Sequence, residues 1–562
     1  MQNQPVDHRP VIILGGGPVG LGAALELARC KVPCILLERN KHTSWHPKTR
    51  NFNTRTMEIA RSWGREVYDE LRELDLPPEW KGTIRFSDTI NGEETGAIES
   101  RGFMGPGPEV SPVSSVLSSQ DSIEPVLLSE LQRSKLVDVR FGHEMIEFIS
   151  GHEPGADGVT LRIRNLETGE ESTLQGAALI AADGATSSIR KLLQMPMHGT
   201  PKIAHFINCY FKADVEQYAR QRPGILLFVS NDEASGVLQP LDAQGRWLCQ
   251  ISVPEDQWDT AIFTHERCTA WVRAAVGVDS LAVDIVSVGT WEMNALVAES
   301  FLVGNVLLMG DAAHMFPPSG GLGVNTGLQG MHNVIWKLAL YLRGKAGRQL
   351  LETYTSERRP YAEWVAEQTF HNARQVEKIA LITRGLAPAT ITPAEVMRET
   401  RRYGNQLGIE LGSIYESRAI VPDDTRPPEV DDAYTDYVPT ARPGHRAPHV
   451  WLKQEADTLS TLNLFGPEFT VLVGADDGSW SQTVLSMRAE HGLDIGYYKI
   501  GKGGQYADAN PTANGSDFLQ KYSLESSGAV LVRPDGYVAW RCKKYNDDAP
   551  LQLRDALTRI LA

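Results

Sequence analysis

The sequence predicts a multidomain α/β fold organised around a doubly wound parallel sheet, and three observations predict it. The first is a strand, Val11–Leu14, that runs straight into GGGPVG. A helical pattern with Ala23, Ala24, Leu27 and Ala28 follows, then a second strand that ends at Glu38. The second is a pair of later apolar runs, Leu179–Ala181 and Val306–Met309, each closed by an aspartate, Asp183 and Asp311. The third is a change of pattern from Pro201 to about Leu302, where short β-rich runs replace helices. Together they describe a dinucleotide-binding fold interrupted by a second domain built on a sheet.

Each element has a physical reason. Gly15, Gly17 and Gly20 stand at GxGxxG spacing, which gives a tight turn, backbone access to a pyrophosphate and close helix packing. Glu38 follows Gly20 by eighteen residues and can accept hydrogen bonds from both hydroxyls of a ribose, with Arg39 beside it. The segment His46–Gly64 holds Lys48, Arg50, Arg55 and Arg61, cations with an obvious use near a phosphate. Gln120 opens a helix at Ile123–Leu131. Val137–Phe148 and Val159–Asn165 alternate as strands do. In the β-rich region the runs are Ala204–Phe211, Gly224–Val229, Gly236–Pro240, Trp247–Val253 and Val283–Met293. Gly310-Asp311 ends the strand at Val306, and Pro317-Pro318, Ser319, Gly320, Gly321 and Gly323 form a loop. A helix starting near Asn325 aims its free N–H groups and dipole at that loop. Leu350–Glu377 reads as a long helix kinked at Pro360. Residues 378–440 read as helical and then as a Pro- and Asp-rich linker. The C-terminal stretch has its own strands, Phe469–Val473 and Ala529–Val532, the latter followed by a turn at Asp535-Gly536.

Composition narrows the function classes. With 55 Lys and Arg against 70 Asp and Glu, the formal net charge of −15 argues against nucleic acid as a partner. No run approaches a membrane span, and the N-terminus MQNQPVDHRP has no apolar core of a secretory signal. The six cysteines form no CxxC, so neither a zinc ribbon nor a dithiol centre is signalled; no metal is expected, and a reducing, cytoplasmic setting is.

Three motifs stand in fixed order: GGGPVG with Glu38, AADGATSSIR at 181–190, and MGDAAHMFPPSGGLGVNTG at 309–327. As a set this resembles the FAD-dependent aromatic hydroxylases, single-component flavoprotein monooxygenases of the p-hydroxybenzoate and phenol hydroxylase type. The segments GHRAPHVWL at 444–452 and GAVLVRPDGYVAWR at 528–541 resemble the thioredoxin-like C-terminal domain of the phenol and dichlorophenol hydroxylase branch. The resemblance implies a Rossmann-like FAD-binding domain over residues 1–75, 113–200 and 301–345, with a β-sheet substrate domain over 76–112 and 201–300. A helical segment and linker (346–443) and a thioredoxin-like α/β domain (444–562) follow.

It also implies roles. Gly15, Gly17, Pro18, Gly20, Glu38 and Arg39 would serve the ADP half of non-covalent FAD. Lys48 stands where many members carry an arginine near the pyrophosphate, and Gln120 would lie near the ribityl chain. Asp183 would serve FAD and NAD(P)H. Gly310 and Asp311 would serve the ribityl hydroxyls, and Pro318, Gly321, Gly323, Val324 and Asn325 the flavin ring. Pro317 would lie where the family stabilises a flavin C4a-hydroperoxide. Gly330 occupies a position where relatives often have Asp. The implied reaction is hydroxylation of a phenolic or polyketide-derived aromatic by O2 and NADPH or NADH, in a homodimer.

A residue that deprotonates a phenol is expected, and His46, Tyr210, His205 and Gln239 are its candidates. Each has a plain structural role as the competing reading. Two other functions compete: a flavin-dependent halogenase, which needs a WxW signature that does not occur here, and a structural or sensory FAD protein that recruits partners, which has no use for the DG motif.

Overall fold

The computed structural model describes residues 7–383, 388, 392–476, 478–509 and 516–562. The first six residues of the polar N-terminus and residues 384–387 and 389–391 of the expected helical segment lie outside that set.

A six-stranded sheet orders the cofactor side. Its strands run Leu302–Val303, Val306–Leu308, Leu179–Ala181, Val11–Leu14, Cys34–Glu38 and Val137–Phe141, parallel except for the first pair. All four residues of Val11–Leu14 are buried, as the central strand of a doubly covered sheet must be. The register Ala181↔Leu308 makes the two Asp-ended strands direct neighbours. Asp183 and Asp311 therefore share one sheet edge with Gly15 and Glu38. The helix Pro18–Arg29 packs on this sheet with Pro18 in its first turn. The stretch read as one strand, Val137–Phe148, is two. Gly142, at φ +67°, breaks it, and His143–Ser150 joins a separate three-stranded sheet with Val159–Asn165 and Glu171–Gly176.

The second sheet has eight strands in the order His314–Met315, Asp284–Ala298, Met197–Lys212, Arg246–Val253, Ser235–Pro240, Leu226–Ser230, Thr83–Ser87 and Glu94–Glu99. The loop after Asp311 thus enters the edge of the second sheet before it returns as the helix Gly323–Leu342. The helix Arg348–Thr383 continues through Pro360.

The C-terminal stretch forms a four-stranded sheet, Gly496–Lys499, Thr470–Val473, Ala529–Val532 and Val538–Cys542, with the helices Trp480–His491 and Ala549–Leu561. Buried ions join it to the rest. Glu357 accepts from Arg533 at 2.7 and 2.9 Å and from Lys337 at 2.7 Å, and Arg533 also pairs with Asp535. Burial alone pushes the Glu357 carboxyl up, but the Arg533 guanidinium and Lys337 ammonium outweigh it and hold it well below the usual range. A second clasp has Arg446 donating to both oxygens of Glu58, which also takes Arg55 and Ser111.

Candidate active site

A cavity of about 2180 Å³ runs from the glycine turn at the edge of the parallel sheet to the face of the eight-stranded sheet. Its geometry is set first by glycines. Gly15 has φ +104°, and a Cβ there would stand 2.3 Å from the Ala182 carbonyl oxygen; one on Gly20 would stand 1.9 Å from the Gly15 carbonyl oxygen. No side chain fits at either place, so turn, helix and the neighbouring strand close on one another. Gly17 and Gly323 differ. A Cβ on Gly17 meets nothing nearer than Glu124 Oε1 at 4.0 Å, and one on Gly323 meets nothing within 4 Å. Both line the cavity, and the space a side chain would take there belongs to whatever the cavity holds.

The polar groups converge on the same space. Glu38 accepts from the Gly16 N–H at 2.7 Å and from the Asn40 N–H at 2.8 Å, which places its carboxylate over the turn. Arg39, Lys48, Gln120, Asp183, Gly310, Asp311, Pro317, Pro318, Gly321 and Val324 also line the cavity. Gln120 donates to Glu124 at 2.6 Å, and Glu124 accepts from the Ser44 N–H at 2.6 Å. Asp183 accepts from the N–H groups of Ser188 at 2.8 Å and Ile189 at 3.3 Å. Arg190 donates to the carbonyls of Asp311 and Ala312, tying the two Asp loops together. The Asp311 side chain is exposed along the cavity, yet it lies deep in the protein mass. That depth raises its pKa, against the pull of Lys48 and Arg190. The helix Gly323–Leu342 has no side-chain cap, and its first turn faces the loop Pro317–Leu322, so free N–H groups and the positive dipole end meet the cavity. Asn325 is buried and acts differently from its neighbours. Its side chain donates to the carbonyls of Asn51 and Gly321 and accepts from the Asn53 N–H and Thr56 hydroxyl, which fixes the loop.

The far wall is the sheet. The register sets one row across it: Phe86, Phe228, Val237, Gln250, Asn208 and Gly289, each paired with the next. All six line the cavity, with Phe86 and Phe228 stacked at 5.1 Å. Trp258, Phe206 and Trp291 add aromatic surface nearby. Of the expected proton acceptors, His46 and Gln239 reach the cavity. His46 Nδ1 lies 2.7 Å from the Ser287 hydroxyl, and burial, helped by Lys48, lowers its pKa, so the ring is neutral at pH 7.

Tyr210 does not belong to the site. It lies two residues beyond Asn208 on the same strand face, where Leu241 and Leu248 cover it and its hydroxyl accepts from Arg246 at 2.9 Å. His205 is likewise outside the cavity, its ring tilted against Trp258 with centroids 4.8 Å apart. Asn208, Gln250, Ser230 and Asn51 went unread in the sequence. Alternation alone does not say which face of a strand meets a cavity.

Comparison with known proteins agrees with this geometry. A model described as FAD binding domain matches residues 8–369, and one described as aromatic-ring hydroxylase, C-terminal, matches 440–562. This chain belongs to the FAD-dependent aromatic-ring hydroxylases. It is 33% identical to the tetracenomycin A2 monooxygenase-dioxygenase of Streptomyces glaucescens, over 98% of this chain and 97% of that one. It is 32% identical to a 4-methyl-5-nitrocatechol 5-monooxygenase of a Burkholderia species, over 100% and 99%. Among solved structures, the flavin-dependent monooxygenase PieE in complex with FAD and substrate superposes with a TM-score of 0.89 at 32% identity, over 98% and 99% of the chains. The hydroxylase is thus an FAD- and reduced-nicotinamide-dependent aromatic monooxygenase, and the open glycine cradle, the uncapped helix and the Asp-ended strands fit FAD.

Proposed function

We propose that this hydroxylase inserts one oxygen atom of O2 into a phenolic or polyketide-derived aromatic, at the expense of NADPH or NADH. The observation that carries the proposal is the single cavity, which joins the glycine turn to an aromatic wall with no partition. Bound FAD supplies the activation of oxygen; the chain binds, orients and excludes water. In this reading Glu38 holds the adenosine ribose, and Gly15, Gly17 and Pro18 with Lys48 take the pyrophosphate. Gln120 and Asp311 take the ribityl chain. The N–H groups of Gly323, Val324 and Asn325 face the ring, with Pro317, Pro318 and Gly321 shaping its loop. Asp183 serves both FAD and the nicotinamide cofactor. Neutral His46, braced by Ser287, accepts a proton from the substrate hydroxyl.

The C-terminal unit, read as thioredoxin-like, acts as a scaffold in a homodimer; sedimentation of the full chain tests the assembly. A cytoplasmic location accords with six cysteines that are all free and buried. Among the described residues no helix is long and apolar enough to cross a membrane.

The test is NADPH and NADH oxidation by the purified yellow protein against a panel of phenols and polycyclic aromatics, with mass measurement of products. Stimulated oxidation with a product heavier by one oxygen supports the reading. Oxidation that no aromatic accelerates, with all of them recovered unchanged, contradicts it.

A further inference from the structure

Arg50 is a half-buried, cavity-lining arginine that the cofactor roles above do not use. It donates to the carbonyl oxygens of Pro240 and of Ile225, the latter at 3.0 Å, so its head sits against the substrate sheet rather than beside the glycine turn. No carboxylate pairs with it among the described residues, and it lines the cavity. Its depth in the protein mass pushes its pKa down to about 10, against the pull of the buried Tyr403 phenol. A guanidinium partly withdrawn from water without an anion is costly, and two carbonyls satisfy only part of its five donors. Its neighbour Asn51 is 5% exposed, lines the same cavity, and has neither its amide oxygen nor its amide nitrogen hydrogen-bonded among the described residues. Asn51 Nδ2 stands 3.0 Å from where a Cβ of Gly321 would be, so the pair lies between the ring loop and the sheet. Two adjacent side chains thus present unspent hydrogen-bonding capacity to the cavity, one of them positively charged.

We infer that Arg50, with Asn51 beside it, anchors an anionic oxygen substituent of the aromatic substrate, a carboxylate or an acidic enolate or phenolate. The inference rests on the proposed function and narrows it: the preferred substrate is an aromatic anion. A planar guanidinium suits such an oxygen, and the charge-assisted bond sets which edge of the ring points toward the cofactor loop. The aromatic row from Phe86 to Phe228 then receives the body of the ring system.

The experiment uses the FAD-loaded full chain and reads binding from the perturbation of the flavin spectrum, without turnover. The ligands are 1-hydroxy-2-naphthoate, its carboxamide, and 2,4-dinitrophenolate, an acidic phenol with no carboxyl group. The native protein should bind the naphthoate about tenfold or more tighter than the amide, the ratio expected from one charge-assisted hydrogen bond. Arg50→Gln should abolish that preference, and Arg50→Lys should keep part of it. FAD content should stay unchanged in both. Binding of dinitrophenolate that also depends on Arg50 would assign the site to anionic oxygen in general; binding of the naphthoate alone would assign it to carboxylates. Equal binding of acid and amide by the native protein would overturn the inference, and so would loss of FAD on Arg50→Gln, which would assign the residue to the cofactor. Neither result touches the monooxygenase reading, which stands or falls on product formation.

Discussion

Gly323→Ala separates the cofactor's space from the protein's own packing. Gly323 opens the helix Gly323–Leu342, its φ is not positive, and an added Cβ meets no protein atom within 4 Å. In the apoprotein the substitution should therefore be harmless, or stabilising by about 0.4–1 kcal/mol through a less flexible unfolded chain. In the holoprotein the methyl group enters the space assigned to the flavin ring and holds it away from the free N–H groups of the first turn. Losing one hydrogen bond to a charged acceptor costs about 1.5–3 kcal/mol, a roughly ten- to hundredfold loss of FAD affinity. The two effects have opposite signs, which a general folding defect cannot imitate. Gly327→Ala is the contrast: its Cβ would stand 2.7 Å from Val19 Cγ2, so overpacking should lower apoprotein stability by about 1–3 kcal/mol. The assay is thermal melting of the apoproteins with FAD titration by fluorescence quenching. Undiminished FAD affinity in Gly323→Ala, or a lower melting temperature of its apoprotein, would refute the placement of the ring at this helix.

Three further outcomes follow from buried charges. Gly330 leaves Arg358 with a buried Nε that has no hydrogen-bond partner among the described residues, 3.8 Å from where a Cβ would be, so Gly330→Asp should raise thermal stability more than Gly330→Asn does; equal or negative shifts would contradict the pairing. Glu410 is buried and its pKa is pushed up to about 8 from an ordinary 4.5, so the folded state keeps a proton that the unfolded state loses between those values and stability falls as pH rises through the window. Glu410→Gln should remove that slope and gain roughly 3 kcal/mol at pH 7 in denaturant unfolding; an unchanged slope would show that the group ionises freely. Removal of residues from about Gly444 strips Arg533 from the Glu357–Lys337 pair, where it bonds Glu357, and Arg446 from Glu58, so the truncated chain should lose solubility or assembly. A soluble truncation that keeps FAD and oligomeric state but loses oxygen transfer would contradict the scaffold role.

The cofactor half was legible because its requirements are local. Gly15 and Gly20 are demanded by carbonyl oxygens within 2.3 Å of any Cβ, and Glu38, Asp183 and Asp311 mark strand ends that four apolar runs announce. Such constraints act over a few residues and leave a spaced pattern. The substrate half was not legible, because its wall is a row drawn from six strands between residues 86 and 289, and only tertiary register assembles it. Tyr210 shows the limit. It faces the same side as Asn208 but sits one row further along, under Arg246, which Asp121 on the cofactor side holds in place. Arg50 shows another limit: in the sequence it is one cation among four, and only the carbonyls of Pro240 and Ile225 draw it to the sheet.

The central claim is that FAD and an aromatic substrate share one cavity, so that oxygen passes from the gas to the ring. The most direct measurement is turnover of the FAD-loaded chain with NADPH or NADH under 18O2, followed by mass spectrometry of an aromatic that accelerates NAD(P)H oxidation. The account predicts a product carrying one 18O atom, formed with little hydrogen peroxide. An aromatic that speeds NAD(P)H oxidation yet is recovered without 18O, with the reducing equivalents found as peroxide, would contradict it.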